Sequence, residues 1–182
     1  MSLPQPVERE HIHTRHISCQ GFKRKDGLWD IEANLEDIRT YGVDNEYRGR
    51  IEAGEPVHGM RLRVTLDIEF TIHDINAESE FVPAAVCKTV TDGMRGLVGL
   101  KIQKGWMKQV HERIGGPLGC THLIELLGPI GTTAYQTMYR EVEEHGKQIP
   151  NRPKPRVIDT CVAWASDGEK VKRRWPEFYT GN

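Results

Sequence analysis

Gly119-Cys120-Thr121-His122 sets a thiol and an imidazole two positions apart at the start of an apolar run with helical spacing. Cysteine and histidine are ligands that zinc and iron favour, and a helix N-terminus lowers a thiol's pKa through its dipole and unpaired N–H groups. On local grounds Cys120 is therefore the best thiolate candidate of the four cysteines, at positions 19, 87, 120 and 161. Two further places can deliver ligands. His58 lies in Pro56-Val57-His58-Gly59-Met60, just ahead of a strongly alternating strand, and Cys87 lies in the opening turns of another predicted helix. Two helix N-termini converging on a strand entrance predict a metal site made of His58, Cys87, Cys120 and His122, the ligand number of a closed tetrahedral centre. If His58 stands off, the other three leave a coordination position open for a water. Glu125, one turn after His122, is then the candidate base or the group supporting a ligand.

Plainer accounts of the same residues exist. Cys87 beside an apolar stripe reads equally as a small buried hydrophobe, and Cys120 as part of a tight helix entrance capped by Thr121. No C-x-x-C occurs, so the local signature of a zinc ribbon is absent. A nucleophilic Cys120 with His122 as base needs non-helical geometry at the entrance, because side chains at i and i+2 of a helix do not face each other. Of His11, His13 and His16, only the first two share a strand face, and all three read as surface histidines. The basic run Lys170 to Trp175 reads as a solvated strand face. Gly-rich phosphate loops, a G-x-S-x-G elbow and H-E-x-x-H are all missing, which argues against nucleotide enzymes, serine hydrolases and zincin proteases.

The elements that must position these groups follow from periodicity. From His11 to Tyr41 apolar residues alternate with charges around Lys25-Asp26-Gly27, which predicts a β-hairpin. Residues 42–56 read as a loop. Arg61 to Asp74 alternates most cleanly, with Leu62, Val64, Leu66, Ile68, Phe70 and Ile72 on one face, and predicts a half-buried strand, single or bent into two near Asp67. Helical spacing predicts helices over 83–98, 105–114 and 121–145, the last kinked or divided at Gly128-Pro129. After the spacer Pro150-Asn151-Arg152-Pro153-Lys154-Pro155, Val157 to Trp175 alternates around Ser166-Asp167-Gly168 and predicts a C-terminal hairpin.

A chain of 182 residues fits one domain, 1–182. Within it the pattern divides into a β-rich N-terminal extension (10–53), an α+β core (54–146) and the C-terminal hairpin (156–182). A net charge of -1 with basic and acidic residues interspersed provides no field for nucleic acid. No window approaches the roughly 18 apolar residues of a spanning helix, and widely spaced cysteines read as reduced thiols. A cytoplasmic protein that does not contact membranes is expected.

Arg24-Lys25-Asp26-Gly27-Leu28-Trp29-Asp30-Ile31-Glu32, Pro56-Val57-His58-Gly59-Met60 and Gly119-Cys120-Thr121-His122-Leu123-Ile124-Glu125-Leu126-Leu127 together resemble a bacterial family of unknown function. That resemblance spans nearly the whole chain and implies a bacterial source, but no activity. From Gly54 to Val142 the layout also resembles the iron–sulfur cluster assembly scaffolds of the IscU and NifU type. Those proteins carry a G-x-P-x-C-G-D element before a strand, a cysteine opening a helix, and a His-Cys pair opening the final long helix. Gly54-Glu55-Pro56-Val57-His58-Gly59-Met60, Cys87 and Cys120-Thr121-His122 stand at those positions. His58 replaces the first cysteine, Met60 replaces the aspartate, the His-Cys pair becomes Cys-x-His, and the Leu-Pro-Pro-Val-Lys segment is missing. The resemblance thus implies a fold and a metal pocket rather than cluster assembly.

The expected architecture is α+β, a twisted antiparallel sheet against two or three helices, with a scaffold-like core extended by the two hairpins. The expected function is a zinc- or iron-binding protein, structural or catalytic. Its alternative is a metal-free binding or assembly module, in which an exposed sheet edge recruits a protein partner or a second copy.

Overall fold

Lys25-Asp26-Gly27 reverses the chain between β1 (His13–Lys23) and β2 (Trp29–Arg39), as the sequence predicts. Gly27 takes φ +87°, a conformation that favours glycine, and the Asp26 carboxylate accepts the Leu28 N–H at 3.3 Å. The computed structural model describes residues 3–149 and 153–181. The first part of the proline-rich spacer, residues 150–152, lies outside the described residues. Within 42–56, expected as loop, a small hairpin forms from β3 (Val43–Asn45) and β4 (Gly49–Ile51).

The strongly alternating segment becomes two strands, β5 (Pro56–Leu66) and β6 (Ile72–Phe81). Asp67 makes the reversal: its Oδ1 accepts the N–H groups of Glu69 and Thr71, each at 2.9 Å, while Phe70 takes φ +64°. Phe70 and Ile72 are both buried, so apolar alternation runs on through the turn, which falls at Asp67 where the sequence allowed a break. The four long strands form one antiparallel sheet in the order β1-β2-β5-β6. β2 is therefore an interior strand. The N-terminal segment supplies half of the main sheet and is not an extension beside it.

Trp29, Ile31, Ala33 and Leu35 of β2 and Met60, Leu62, Val64 and Leu66 of β5 bury one face of this sheet. The other face carries ion pairs such as Arg63 to Glu32 at 2.7 Å, the division expected of a half-buried antiparallel sheet. The buried face is covered by α2 (Thr121–Gln148), whose Leu123, Leu126, Leu127, Ile130, Ala134 and Met138 are buried. Helix α2 runs along β1: Glu125 meets Arg15, Thr133 meets Cys19 and Thr137 meets Gly21. Twelve helical residues at 1.5 Å advance about 18 Å and six strand residues at 3.3 Å about 20 Å, so the two elements stay in step. The helix continues through Pro129, losing only the bond that a Pro129 N–H would have made to Glu125, so the expected division into two helices does not occur.

The helix predicted over 83–98 is instead two 3-10 turns, Ala85–Lys88 and Asp92–Leu97. Thr89, Val90 and Thr91 followed by Gly93 and Gly96 are poor helix formers, and tertiary burial rescues only Met94 and Leu97. α1 (Trp106–Ile114) forms where expected and buries Trp106, Val110 and Ile114.

The chain forms two compact units, Met1–Met138 and Tyr139–Asn182, with the division falling inside α2. The second unit corrects the expected C-terminal hairpin. Its described residues hold a 3-10 turn at Val162–Trp164, helix α3 (Glu169–Arg174) and a 3-10 turn at Pro176–Phe178, with no strand. Val171 and Trp175 are both buried and stand four apart, a helical spacing, and the Trp175 N–H donates to the Val171 carbonyl at 2.8 Å. Lys170 Nζ lies 3.7 Å from the centre of the Trp164 ring, so the basic run covers an aromatic surface rather than one face of a strand.

A Cβ at Gly21 would overlap the Thr137 hydroxyl, so glycine permits the close approach of α2 to β1. Gly21→Ala is expected to cost about 1–3 kcal/mol through overpacking, lowering Tm by roughly 5 °C, as read by a circular-dichroism melt.

Candidate functional site

Strand register alone sets three residues of the site side by side. Arg15 of β1 is the partner of Asp37 on β2, and Asp37 is the partner of His58 on β5, so the three stand in one row across neighbouring strands. Asp37 continues the inward series Trp29, Ile31, Ala33, Leu35 and is 3% exposed. A carboxylate in that position requires partners. Arg15 supplies a bidentate pair, Nε donating to Oδ1 and Nη2 to Oδ2, both at 2.7 Å. The ring nitrogens His13 Nε2 and His58 Nδ1 add hydrogen bonds to Oδ1 and Oδ2 at 3.1 and 3.0 Å.

Helix α2 then brings its N-terminus over this row. The His122 ring stacks on His58, with centroids 3.8 Å apart and planes inclined by 29°. Its Nε2 approaches Asp37 Oδ2 at 3.5 Å and its Nδ1 approaches the Cys120 sulfur at 3.8 Å. Arg15 Nη1 also pairs with Glu125, so one guanidinium ties β1, β2 and α2 together. Cys120 is the N-cap of the helix, because its carbonyl accepts the Ile124 N–H at 3.0 Å. That position aims the sulfur at the free backbone N–H groups of His122 and Leu123. Cys120 and His122 meet because Cys120 lies before the first helical residue, which supplies the non-helical geometry that the i, i+2 spacing demands.

The electrostatics follow from these contacts. Burial pushes the Asp37 carboxyl up, but the Arg15 guanidinium, aided by His58 and His13, outweighs it and holds the pKa down to about 2. Burial lowers His58, and the neighbouring His122 lowers it further, against the opposing pull of Asp37. Burial also raises the Cys120 thiol, yet the bond to His122 and the backbone N–H groups of Leu123 and His122 leave it below the ordinary cysteine value.

Of the four residues expected to share a metal, His58 and His122 come together, and Cys120 stands beside His122. Cys87 lies in the 3-10 turn Ala85–Lys88, half-buried and outside this group. Asp37, His58 and His122 form the one cluster among the described residues whose ligand atoms all lie within 4.8 Å of one another. Cys120 faces the other nitrogen of the His122 ring. The two ring nitrogens point apart, so Cys120 and Asp37 cannot share an ion held by His122. Asp37, Arg15 and His13 were not singled out as site residues from sequence. Only a charged residue continuing an inward apolar series could have pointed to Asp37.

The family described as Protein of unknown function (DUF2889) matches residues 13–136. The chain belongs to that family. The DUF2889 segment runs from the first residue of β1 into α2 and contains Arg15, Asp37, His58, Cys120, His122 and Glu125. No curated protein and no solved structure matches the chain, and no resemblance to cluster assembly scaffolds emerges. No helix among the described residues is long and apolar enough to cross a membrane.

Asp37 should dominate the acid stability of the sheet. Its folded pKa lies below the unfolded value, so its contribution is complete above the unfolded pKa and is lost as pH falls through about 2. Asp37→Asn is expected to lose on the order of 2 kcal/mol at neutral pH. Denaturant melts against pH should show the two proteins converging as the wild type approaches pH 2.

Proposed function

We propose that this protein is an enzyme using Cys120 as a nucleophile, His122 as general base and acid, and Asp37 as the group that orients His122. The observation that carries the reading is the single imidazole spanning thiol and buried carboxylate, Nδ1 toward the sulfur and Nε2 toward Asp37. A carboxylate facing Nε2 favours the tautomer with its proton there, leaving the Nδ1 lone pair to take the thiol proton. The Arg15 pair keeps Asp37 ionised, so it does not compete for that proton.

The reaction class is acyl transfer. The sulfur attacks an electrophilic carbonyl carbon, and the proton held on His122 passes to the leaving group. Water activated by the same imidazole, or a second acceptor, releases the acyl group from the thioester and restores the thiol. The backbone N–H groups at the start of α2 provide stabilising donors beside the sulfur.

A second reading, a zinc or iron ion held by Asp37, His58 and His122, is favoured by the close approach of their ligand atoms. Against it stands the bidentate guanidinium already on Asp37, a cation beside any ion that carboxylate would bind.

Alkylation with iodoacetamide, mapped by mass spectrometry over a pH series, separates the two readings when combined with elemental analysis of untagged protein. The thiol reading expects Cys120 to label first, with an inflection below the roughly 8.5 of a free cysteine. His122→Ala should move that inflection up, and a chelator should have no effect. p-Nitrophenyl acetate should leave an acetyl group on Cys120 and none on Cys120→Ser. Stoichiometric metal that disappears in His58→Ala and persists in Cys120→Ser, with Cys120 slow to label, would replace this reading with the metal site.

A further inference from the structure

β1 is an edge strand whose second side no described strand pairs. Two hydrogen bonds show which of its backbone groups point outward. The Thr40 N–H donates to the Ile12 carbonyl and the Arg24 N–H to the Leu28 carbonyl, both in the β1–β2 register. Narrow pairs recur at every second residue of an antiparallel ladder, so even-numbered residues of β1 bond β2. The N–H and C=O groups of the odd-numbered residues, from His13 to Lys23, therefore face away from the sheet.

Edges of this length are normally guarded by a bulge, a proline or charged side chains. β1 pairs β2 over eleven residues without a register shift and contains no proline. Its formal charges are Arg15, committed to Asp37 and Glu125, and Lys23 at the far end. Between them, His16 to Phe22 carries none. The β6 edge, by contrast, carries Asp74, Glu78 and Glu80.

The exposed apolar residues of β1 and of the position just before it are spaced symmetrically. Ile12, Ile17 and Phe22 are 44%, 37% and 45% exposed and stand five positions apart. An antiparallel copy of β1 centred on Ile17 places Ile17 opposite Ile17 and Ile12 opposite Phe22, twice. In the same register Arg15 meets Cys19, His13 meets Gly21 and His16 meets Ser18, so no like charges oppose one another. Ile17 is odd-numbered, so the central pair is one whose outward backbone groups can bond. Other registers lose this match. Centring on Ser18 sets Phe22 against Thr14 and Ile12 against Arg24, and centring on Cys19 sets Arg15 against Lys23.

We propose that β1 is a self-recognition edge: two copies of this chain pair their β1 strands antiparallel about a two-fold axis at Ile17, joining four strands from each into one continuous sheet. Such an interface is isologous, as a cyclic dimer requires. The repeat of apolar positions about one residue identifies a second copy, rather than an unrelated strand, as the occupant.

Sedimentation velocity on the full chain over a concentration series tests this. The wild type is expected to be dimeric, and Ile17→Lys, which sets two ammonium groups face to face on the axis, monomeric with an unchanged circular-dichroism melt. Ile12→Glu and Phe22→Lys should each weaken the dimer roughly tenfold. Their combination should recover it, because position 12 of one copy faces position 22 of the other. A wild type that stays monomeric at every concentration overturns the proposal. So does a dimer indifferent to Ile17→Lys, or a double variant no tighter than the single ones.

Discussion

An ionised carboxylate at the end of an otherwise apolar sheet face is the constraint on which this structure turns. Asp37 occupies an inward position on an interior strand, where an unpaired charge costs several kcal/mol. Every polar contact around it answers that cost. Arg15 from β1 takes both oxygens, His58 from β5 and His13 from β1 take one each, and His122 arrives from the helix above. The same guanidinium reaches Glu125, so pairing the charge also ties α2 to the sheet. The start of α2 is held where Cys120 and His122 sit over the row.

This arrangement joins stability to chemistry. A carboxylate kept ionised by Arg15 is a poor proton acceptor, and in the proposed function it orients His122. His58, stacked on His122, occupies the same oxygen and encloses that side of the ring. The Cys120 thiol is stabilised as thiolate by an imidazole and by helix N-terminal N–H groups, two independent sources that act against its burial. The proposed nucleophile therefore depends on three elements meeting at one end of the sheet. The β1 edge lies on the same strand that supplies Arg15, so pairing there would also steady the strand that anchors Asp37.

Much of the framework was legible in the chain. The hairpin around Lys25-Asp26-Gly27, helix α1, and a long helix beginning just after Cys120 all follow from period and turn chemistry, which are local properties. Where local signals were ambiguous, burial decided. Phe70 and Ile72 carried an apolar alternation straight through a turn made by the Asp67 carboxylate. The 83–98 stripe had helical spacing but threonine, valine and glycine within it, and only 3-10 turns formed. In the C-terminal unit, Val171 and Trp175 matched a helical period inside a segment that also alternated, and six residues were too few to tell the two apart.

The sequence by itself determined that a thiol and an imidazole would stand at the mouth of a helix, because two neighbouring residues and the apolar run behind them are enough to specify it. It also determined that His58 would lie at the entrance of a strand. The tertiary structure alone decided what these groups face. Arg15, Asp37, His58 and His122 meet only through the register of three strands and the path of α2 along β1, and register depends on which side chains pair at long separation. Cys87 was left outside because its segment did not become the helix that would have aimed it inward. Asp37 became central because burying its charge required every partner that the fold could bring.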